Sequence, residues 1–140
     1  FSREQQIQAS RVENHLSFTF ENNIVYWDSG TLLAGPWNRV KFEGRNNCFW
    51  NAAGHPVDFV GKSLEQWQAA GHEAGSIIAD PEFKDPRNND FALAADSPAI
   101  ELGFKPFEPA KAGVYGNPAW IRKATEAKFP PLRPAPDPPR

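Results

Sequence analysis

The chain lacks methionine and contains only one cysteine, Cys48, among its 140 residues. A single cysteine excludes an internal disulfide and any cysteine-rich metal site. Cys48 directly precedes the apolar pair Phe49-Trp50, which favours a small buried hydrophobic side chain over a reactive thiol. The absence of methionine and the opening Phe1 indicate a processed or split piece of a larger protein.

An excess of charge is also absent, because 15 Lys and Arg stand against 17 Asp and Glu, for a net charge of -2. This balance gives no electrostatic footprint for nucleic acid and no polybasic membrane signal. No apolar run approaches the roughly 20 residues needed to span a bilayer, and the N-terminus has no signal-peptide pattern. We therefore expect a globular domain with neither nucleic acid nor a membrane as its partner.

One motif occurs twice, first as "FENNIVYWDSG" and then as "GRNNCFWNAAG". When the two are aligned, Asn23 falls on Asn47 and Tyr26 falls on Trp50. Short strands, regular turns and a repeat interval in the twenties are typical of a β-solenoid, in which each repeat is one coil. Equivalent residues of adjacent coils would then lie about 4.8 Å apart, the spacing of neighbouring strands.

This stacking predicts specific residue pairs. Asparagine amides would form ladders at a turn, and Glu21 would form an ion pair with Arg45. The predicted stacks also include Asn22 over Asn46 and Ile24 over Cys48. A β-sandwich made from hairpin pairs remains an alternative, because two copies of a motif are weak statistics.

The second half of the chain has a different pattern. Ser63 and Gln66 form a capping box that predicts a short helix over "SLEQWQAAG". From residue 77 to 104 we expect short strands at Ile77–Ile78, Phe83, Phe91–Leu93 and Ala99–Leu102, separated by Asp-Pro and Ser-Pro turns. The last residues, "FPPLRPAPDPPR", favour an extended tail.

Three motifs in this half resemble the C-terminal closing segment of right-handed parallel β-helix proteins of the pectate-lyase-like superfamily. They are Asp80–Phe83, Asp90–Leu93 and Ser97–Gly103. The stretch "FKPFEPAKAGVYGNPAW" is similar to the ends of bacterial proteins grouped around glycoside hydrolase family 141. The resemblance covers the chain from about Arg11 to Trp120.

The resemblance implies an all-β fold, the final coils of a right-handed parallel β-helix with a short helix and loop C-terminal cap and a Pro-rich tail. Residues 1–15 would lead in from a missing or separate N-terminal part, 16–60 would form the coils, 61–120 the cap and 121–140 the tail. The first coil would expose bare strand edges, which we expect another chain or a missing segment to cover.

The resemblance also implies carbohydrate as the ligand, because these β-helix enzymes bind polysaccharide along one sheet. Glycoside hydrolysis needs two carboxyl groups. Asp28 is the best single catalytic candidate, since it follows Tyr26-Trp27 and precedes Gly30; the alternative is a simple Asx turn. The position over Asp28 is Ala52, so no stacked carboxylate pair is expected.

Candidate substrate-binding residues are Trp27 and Trp37 as sugar platforms, with Glu13 and His15 as further candidates. The alternative for both tryptophans is packing between loops and sheet. We expect structural or solvated roles for the histidines His15, His55 and His72. No cofactor or metal is expected, since no phosphate loop, zinc motif or dinucleotide fingerprint occurs.

The sequence therefore predicts the C-terminal part of a secreted or periplasmic bacterial enzyme that acts on polysaccharide or oligosaccharide. Hydrolysis is preferred to elimination, because no cluster of Asp with Lys or Arg suggests a lyase base. The alternative function is a non-catalytic carbohydrate-binding or structural segment that acts as an assembly cap. A second carboxylate in the cleft of Asp28 would favour hydrolysis.

Overall fold

The structure, a computed structural model, describes residues 2–107 and 113–128. The chain divides into two compact units, Phe1–Pro106 and Phe107–Arg140. The strands and helices in chain order are β1 Gln5–Gln8, β2 Phe18–Glu21, β3 Ile24–Trp27, β4 Thr31–Ala34, β5 Phe42–Arg45, β6 Cys48–Asn51, α1 Leu64–Ala69, β7 Ile77–Ile78, β8 Phe83–Asp85, β9 Asp90–Leu93, α2 Pro98–Glu101 and α3 Pro118–Glu126.

The two copies of the repeated motif form parallel strand pairs. Strand β2 pairs with β5 and β3 pairs with β6, and the second pairing places Ile24 beside Cys48 and Tyr26 beside Trp50. The turn between the strands of each copy contains an asparagine in the left-handed region, Asn22 at φ 55° and its equivalent Asn46 at φ 52°. The predicted alignment of the motif, its strands and its asparagine turns are therefore confirmed.

The predicted fold class is wrong. The sheets contain only two or three strands each, and β8 pairs antiparallel with β9. The described residues also form three α-helices, so the chain mixes short sheets with helices. This arrangement contradicts the predicted all-β fold, a right-handed parallel β-helix. The sheets end after two or three strands and do not extend into a parallel β-helix.

The hairpin alternative is also wrong. It requires β2 to pair antiparallel with β3, whereas each of them pairs in parallel with a strand of the other copy. The structure contains two strands that the repeat does not predict, β1 and β4, which pair in parallel with each other. Strand β7 adds to β6, which makes a three-stranded sheet in the order β3, β6, β7.

Helix α1 begins at the predicted capping box. The Ser63 hydroxyl accepts a hydrogen bond from the Gln66 amide, and the Gln66 side chain accepts one from the Ser63 amide. Leu64 and Trp67 are its buried residues.

The predicted strand at Ala99–Leu102 is wrong, because Pro98–Glu101 is the helix α2. The Ser97 side chain accepts a hydrogen bond from the Ala99 amide at its start, and Pro98 is the first helical residue. Ser-Pro is therefore a helix start here, since serine caps N-termini and proline fits the first turn.

The second unit contains α3, which the sequence analysis did not predict. The Asn117 side chain accepts a hydrogen bond from the Ala119 amide, and Pro118 follows the cap. The Pro-rich stretch from residue 129 to 140 lies outside the described residues.

Aromatic side chains form the centre of the core in the first unit. Phe42 stacks on His72 with ring centroids 4.9 Å apart, and His72 stacks on Trp67 at 4.3 Å. Trp37 meets Phe42 edge to face at 5.0 Å. Burial lowers the pKa of His72, which keeps this ring neutral among its aromatic neighbours. His72 thus has the structural role expected for it.

A buried polar network lies beside this aromatic core. Asn47 is fully buried (0% exposed), and its side-chain amide donates to the carbonyl of Phe20 at 2.8 Å and to Oε2 of Glu73 at 2.7 Å. Its Oδ1 accepts from the backbone amide of Asn23 at 2.9 Å. Ser76 donates its hydroxyl to the same Glu73 oxygen at 2.6 Å. One asparagine side chain therefore joins three segments of the chain.

We expect Asn47→Ala to lower the free energy of unfolding by about 3 kcal/mol, because it leaves the buried partners of Asn47 unsatisfied. Urea denaturation followed by tryptophan fluorescence measures this change. The control is Asn38→Ala at an exposed position, which should alter stability by less than about 0.5 kcal/mol. A similar small loss in Asn47→Ala would show that the network does not stabilise the fold.

Glu73 should make the stability depend on pH. Burial raises the pKa of this carboxyl above its ordinary value of 4.5, opposed by the hydrogen bonds from Asn47 and Ser76. A raised pKa means that the folded state binds the proton more tightly than the unfolded state does. We therefore expect the wild type to lose stability relative to Glu73→Gln as the pH rises above 4.5, levelling off above the folded-state pKa.

Paired denaturation curves of wild type and Glu73→Gln across this pH range measure the effect. A difference between the two that stays constant, or that changes in the opposite direction, would contradict the assignment.

Candidate functional site

The candidate site lies where β3 and β6 end. Parallel pairing aligns Trp27 with Asn51, and the Ala52 amide donates to the carbonyl of Trp27 at 2.7 Å. The residues that follow the two strands therefore emerge side by side, with Asp28 next to Ala52. This places the turn after β3 against the long loop that connects β6 to α1.

A cleft of about 470 Å³ opens between this turn and this loop. Asp28 and Ser29 lie on one wall, and Asn51, His55 and Asp58 line it from the other copy of the motif and its loop. We call it the Asp28–Asp58 cleft. It brings two carboxylates and an imidazole to one surface.

Each carboxylate in this cleft is held by a local hydrogen bond. Asp28 Oδ1 accepts from the Ser29 hydroxyl at 3.0 Å, and Asp58 Oδ1 accepts from the Gly61 amide at 2.8 Å. Both side chains are exposed to solvent. These local hydrogen bonds orient both acids within an open cleft. Each bond uses only one oxygen of its carboxyl group.

Gly30 allows the turn after Asp28 to pack closely on the N-terminal strand. Its φ is +76°, and a Cβ atom there would collide with the carbonyl oxygen of Glu4. That same carbonyl accepts a hydrogen bond from the Thr31 amide at 2.9 Å. Only glycine combines this dihedral angle with this close approach. The position of Asp28 is therefore determined by β1 as well as by β3.

A second cleft, of about 430 Å³, shares Asp28 with the first. Tyr26, Arg87 and Asn89 also line it, and we call it the Tyr26–Arg87 cleft. Tyr26 meets Phe83 edge to face with ring centroids 5.5 Å apart. Burial raises the pKa of Tyr26, as do the charges of Asp80 and Asp28, while Arg87 lowers it. The phenol of Tyr26 thus stays protonated between groups of both signs.

The two tryptophans predicted as sugar platforms are packed inside the protein. Trp27 is 1% exposed and Trp37 is 3% exposed. The indole of Trp37 donates to the carbonyl of Ala34 at 2.8 Å. Trp27 is one of the residues that line the Asp28–Asp58 cleft. Its indole nitrogen is buried and has no hydrogen-bond partner among the described residues. This is the packing that the sequence analysis gave as the alternative, and neither ring face is available to a sugar.

The other predicted candidates lie away from these clefts. Glu13 is partly exposed and His15 is exposed in the segment between β1 and β2, where the His15 ring contacts the Leu16 carbonyl at 2.9 Å. Neither residue lines the two clefts. The predicted ion pair between Glu21 and Arg45 is confirmed. Of the predicted site residues, Trp27 and Asp28 line the Asp28–Asp58 cleft, and of these two only Asp28 is exposed to solvent.

The sequence analysis missed Asp58, His55 and Arg87 as site residues. Asp58 and His55 come from a loop after the repeat, and Arg87 comes from the turn between β8 and β9. The alignment of the two motif copies correctly showed that Ala52 lies beside Asp28. One sequence signal for His55 and Asp58 was present. The segment His-Pro-Val-Asp, which contains both residues, directly follows the second copy of the motif.

The chain matches no protein-family model, and neither the curated proteins nor the solved structures include a significant match. Within residues 2–107 and 113–128, no group of three or more His, Cys, Asp or Glu side chains could hold a metal ion. No helix in these same ranges is long and apolar enough to cross a membrane.

Cys48 should be chemically inert in the folded protein. Its side chain is buried and lies 3.3 Å from the Ala79 carbonyl, and burial raises its pKa to about 11. About one thiol in a thousand is then ionised at pH 8, and only the thiolate reacts readily. We expect no labelling by iodoacetamide at pH 8, and complete labelling in denaturant. Rapid labelling of the folded protein, measured by mass spectrometry, would contradict this burial.

Proposed function

We propose that this protein hydrolyses glycosidic bonds in a polysaccharide, with Asp28 and Asp58 as the pair of carboxyl groups. The observation that carries the proposal is that both acids line one open cleft. The resemblance to glycoside hydrolases adds the substrate class. On the same grounds, the chain is part of a larger polysaccharide-active enzyme.

The reaction needs these two acids in different roles. One carboxylic acid donates its proton to the oxygen of the leaving sugar. The other carboxylate either activates a water molecule or attacks the anomeric carbon itself. The two side chains of the cleft come from different segments of the chain, Asp28 from the turn after β3 and Asp58 from the loop after β6.

Polar groups around the carboxylates suit sugar hydroxyls. Asn51 Oδ1 accepts a hydrogen bond from the Ala53 amide at 3.0 Å, which fixes the orientation of this side-chain amide. The exposed imidazole of His55 can donate or accept a hydrogen bond. Together these groups supply donors and acceptors on the wall that carries Asp58.

This arrangement supports hydrolysis over carbohydrate binding alone. The binding alternative called for Trp27 or Trp37 on a groove without paired carboxylates. Both tryptophans are instead buried, and a second carboxylate lines the cleft of Asp28.

A second candidate reaction is β-elimination of a uronate polysaccharide. The sequence analysis preferred hydrolysis because it found no cluster of Asp with Lys or Arg, but Asp28 and Arg87 line one cleft in the structure. An arginine can pair with the carboxylate of a uronate through two parallel hydrogen bonds. Elimination would leave an unsaturated uronate that absorbs ultraviolet light, whereas hydrolysis leaves none.

The test incubates the protein with xylan, laminarin, pectin and alginate, and measures new reducing ends together with ultraviolet absorbance. We expect reducing ends without absorbance on at least one polysaccharide. Asp28→Asn and Asp58→Asn should each lower the rate by about 100-fold or more, the usual contribution of a general acid or base. Asparagine keeps the acceptor oxygen that Ser29 or Gly61 uses, so both variants should fold.

Asp96→Asn is the matched control, because Asp96 is exposed and lies outside both clefts. It should retain the wild-type rate. Wild-type rates in both Asp28→Asn and Asp58→Asn would exclude this carboxylate pair. Absorbance that rises with the reducing ends would assign elimination instead.

A further inference from the structure

A third cleft, of about 400 Å³, is also lined by the loop that carries His55. Trp50, Ile78 and Leu64 form much of its apolar lining, and His55 and Glu65 are polar residues on its walls. We call it the Trp50 cleft. It joins the end of the three-stranded sheet to the start of α1.

Trp50 differs from the other tryptophans of the first unit. Trp27, Trp37 and Trp67 are buried in the core, whereas Trp50 is only partly buried. Ile78, on the last strand of the same sheet, is also exposed. An apolar surface that includes a partly exposed indole is therefore available to a ligand in this cleft.

Polar groups complete the lining of this cleft. A hydrogen bond involving Ser63 lowers the pKa of Glu65, so this exposed carboxylate is ionised at neutral pH and can accept hydrogen bonds. Asn51 and His55 can donate hydrogen bonds from the neighbouring wall. A sugar ring presents a C–H face and a rim of hydroxyls, which matches an apolar floor with acceptors and donors around it.

The Trp50 cleft adjoins the Asp28–Asp58 cleft. Asn51, His55 and Pro56 line both of them. A sugar chain with a bond at the two carboxylates would therefore pass the same three residues on its way to Trp50. These shared lining residues select one occupant, a further unit of the same polysaccharide.

We propose that the Trp50 cleft is a second sugar-binding site, in which the indole of Trp50 stacks on a ring of the polysaccharide held at Asp28 and Asp58. The inference rests on the proposed function, because that function supplies the substrate class. Trp50 acts here as a binding and positioning residue. It takes the role that the sequence analysis assigned to Trp27 and Trp37.

The test measures binding of xylo-oligosaccharides, laminari-oligosaccharides, oligogalacturonides and oligoalginates of increasing length to the Asp28→Asn variant, in which cleavage should be slow. We expect affinity to rise with length. In the Asp28→Asn background, Trp50→Ala should weaken the affinity for the longest oligosaccharide that binds by about tenfold. It should leave the affinity for the shortest one unchanged, since only a longer chain reaches the indole. Trp50→Tyr should restore part of the affinity.

Trp120→Ala is the matched control, because Trp120 is 63% exposed in the second unit. In the Asp28→Asn background, Trp120→Ala should leave the affinity for oligosaccharides of every length unchanged. Circular dichroism of Trp50→Ala and Trp50→Tyr checks that both variants fold, and the tyrosine variant tests the site should the alanine variant unfold.

The outcomes separate this inference from the proposed function. If the protein hydrolyses a polysaccharide but neither Trp50 variant alters affinity at any length, the Trp50 site is wrong and the hydrolase stands. If no polysaccharide is cleaved but long oligosaccharides bind through Trp50, hydrolysis is wrong and the Trp50 site stands. If no polysaccharide is cleaved and none of these oligosaccharides binds, both proposals are wrong.

Discussion

The side chain of Asn47 holds the repeated segments together, and the rest of the first unit depends on it. It bonds the end of β2 through the Phe20 carbonyl, the start of β3 through the Asn23 amide, and Glu73 in the segment after α1. Asn23 and Asn47 lie 24 residues apart, the interval between the two copies of the motif. A fully buried amide group needs hydrogen-bond partners for its donors and its acceptor. The side chain of Asn47 finds these partners when β3 pairs with β6 in the observed register, with residues 24 positions apart side by side.

That register determines where the candidate site forms. It aligns the last residues of β3 and β6, so the Asp28 turn and the loop that carries Asp58 leave the sheet together. Burial of Glu73 costs free energy, because the residue is 4% exposed and its charged carboxyl group loses its hydration. Gly44 provides room for it, since a Cβ atom at that position would collide with the Glu73 carboxyl group. The buried Glu73 carboxyl group connects the segment after α1 to the repeat through its hydrogen bond from Asn47.

The sequence predicts this part of the structure well because its signals are local or repeated. The asparagine turns, the alignment of Tyr26 with Trp50 and the capping box of α1 all follow from short patterns. Strands β1 and β4 escaped prediction because the two pair without similar sequences, as Gln5 opposite Thr31 illustrates. The all-β fold class failed partly because Ser97-Pro98 starts a helix where a turn between strands was expected.

The site was less predictable than the repeat. Asp28 could be selected from its position after a strand and before a glycine. Asp58 could not, since a loop without a counterpart in the first copy brings it to the cleft. Aromatic residues near a strand end also gave no information on burial, so the sequence did not show that Trp27 and Trp37 are buried whereas Trp50 is partly exposed. Those distinctions depend on how loops fold back, which is a property of the tertiary structure.

Amide hydrogen exchange of Ala52, measured by NMR, tests the central claim most directly. This amide donates to the Trp27 carbonyl at 2.7 Å and joins the two segments that carry Asp28 and Asp58. The account predicts exchange only through global unfolding, with the same protection as the amide of Cys48 in the paired strand. Exchange of Ala52 at the rate of an unprotected amide, while Cys48 stays protected, would show that the two segments do not stack at this end. The shared cleft would then not exist.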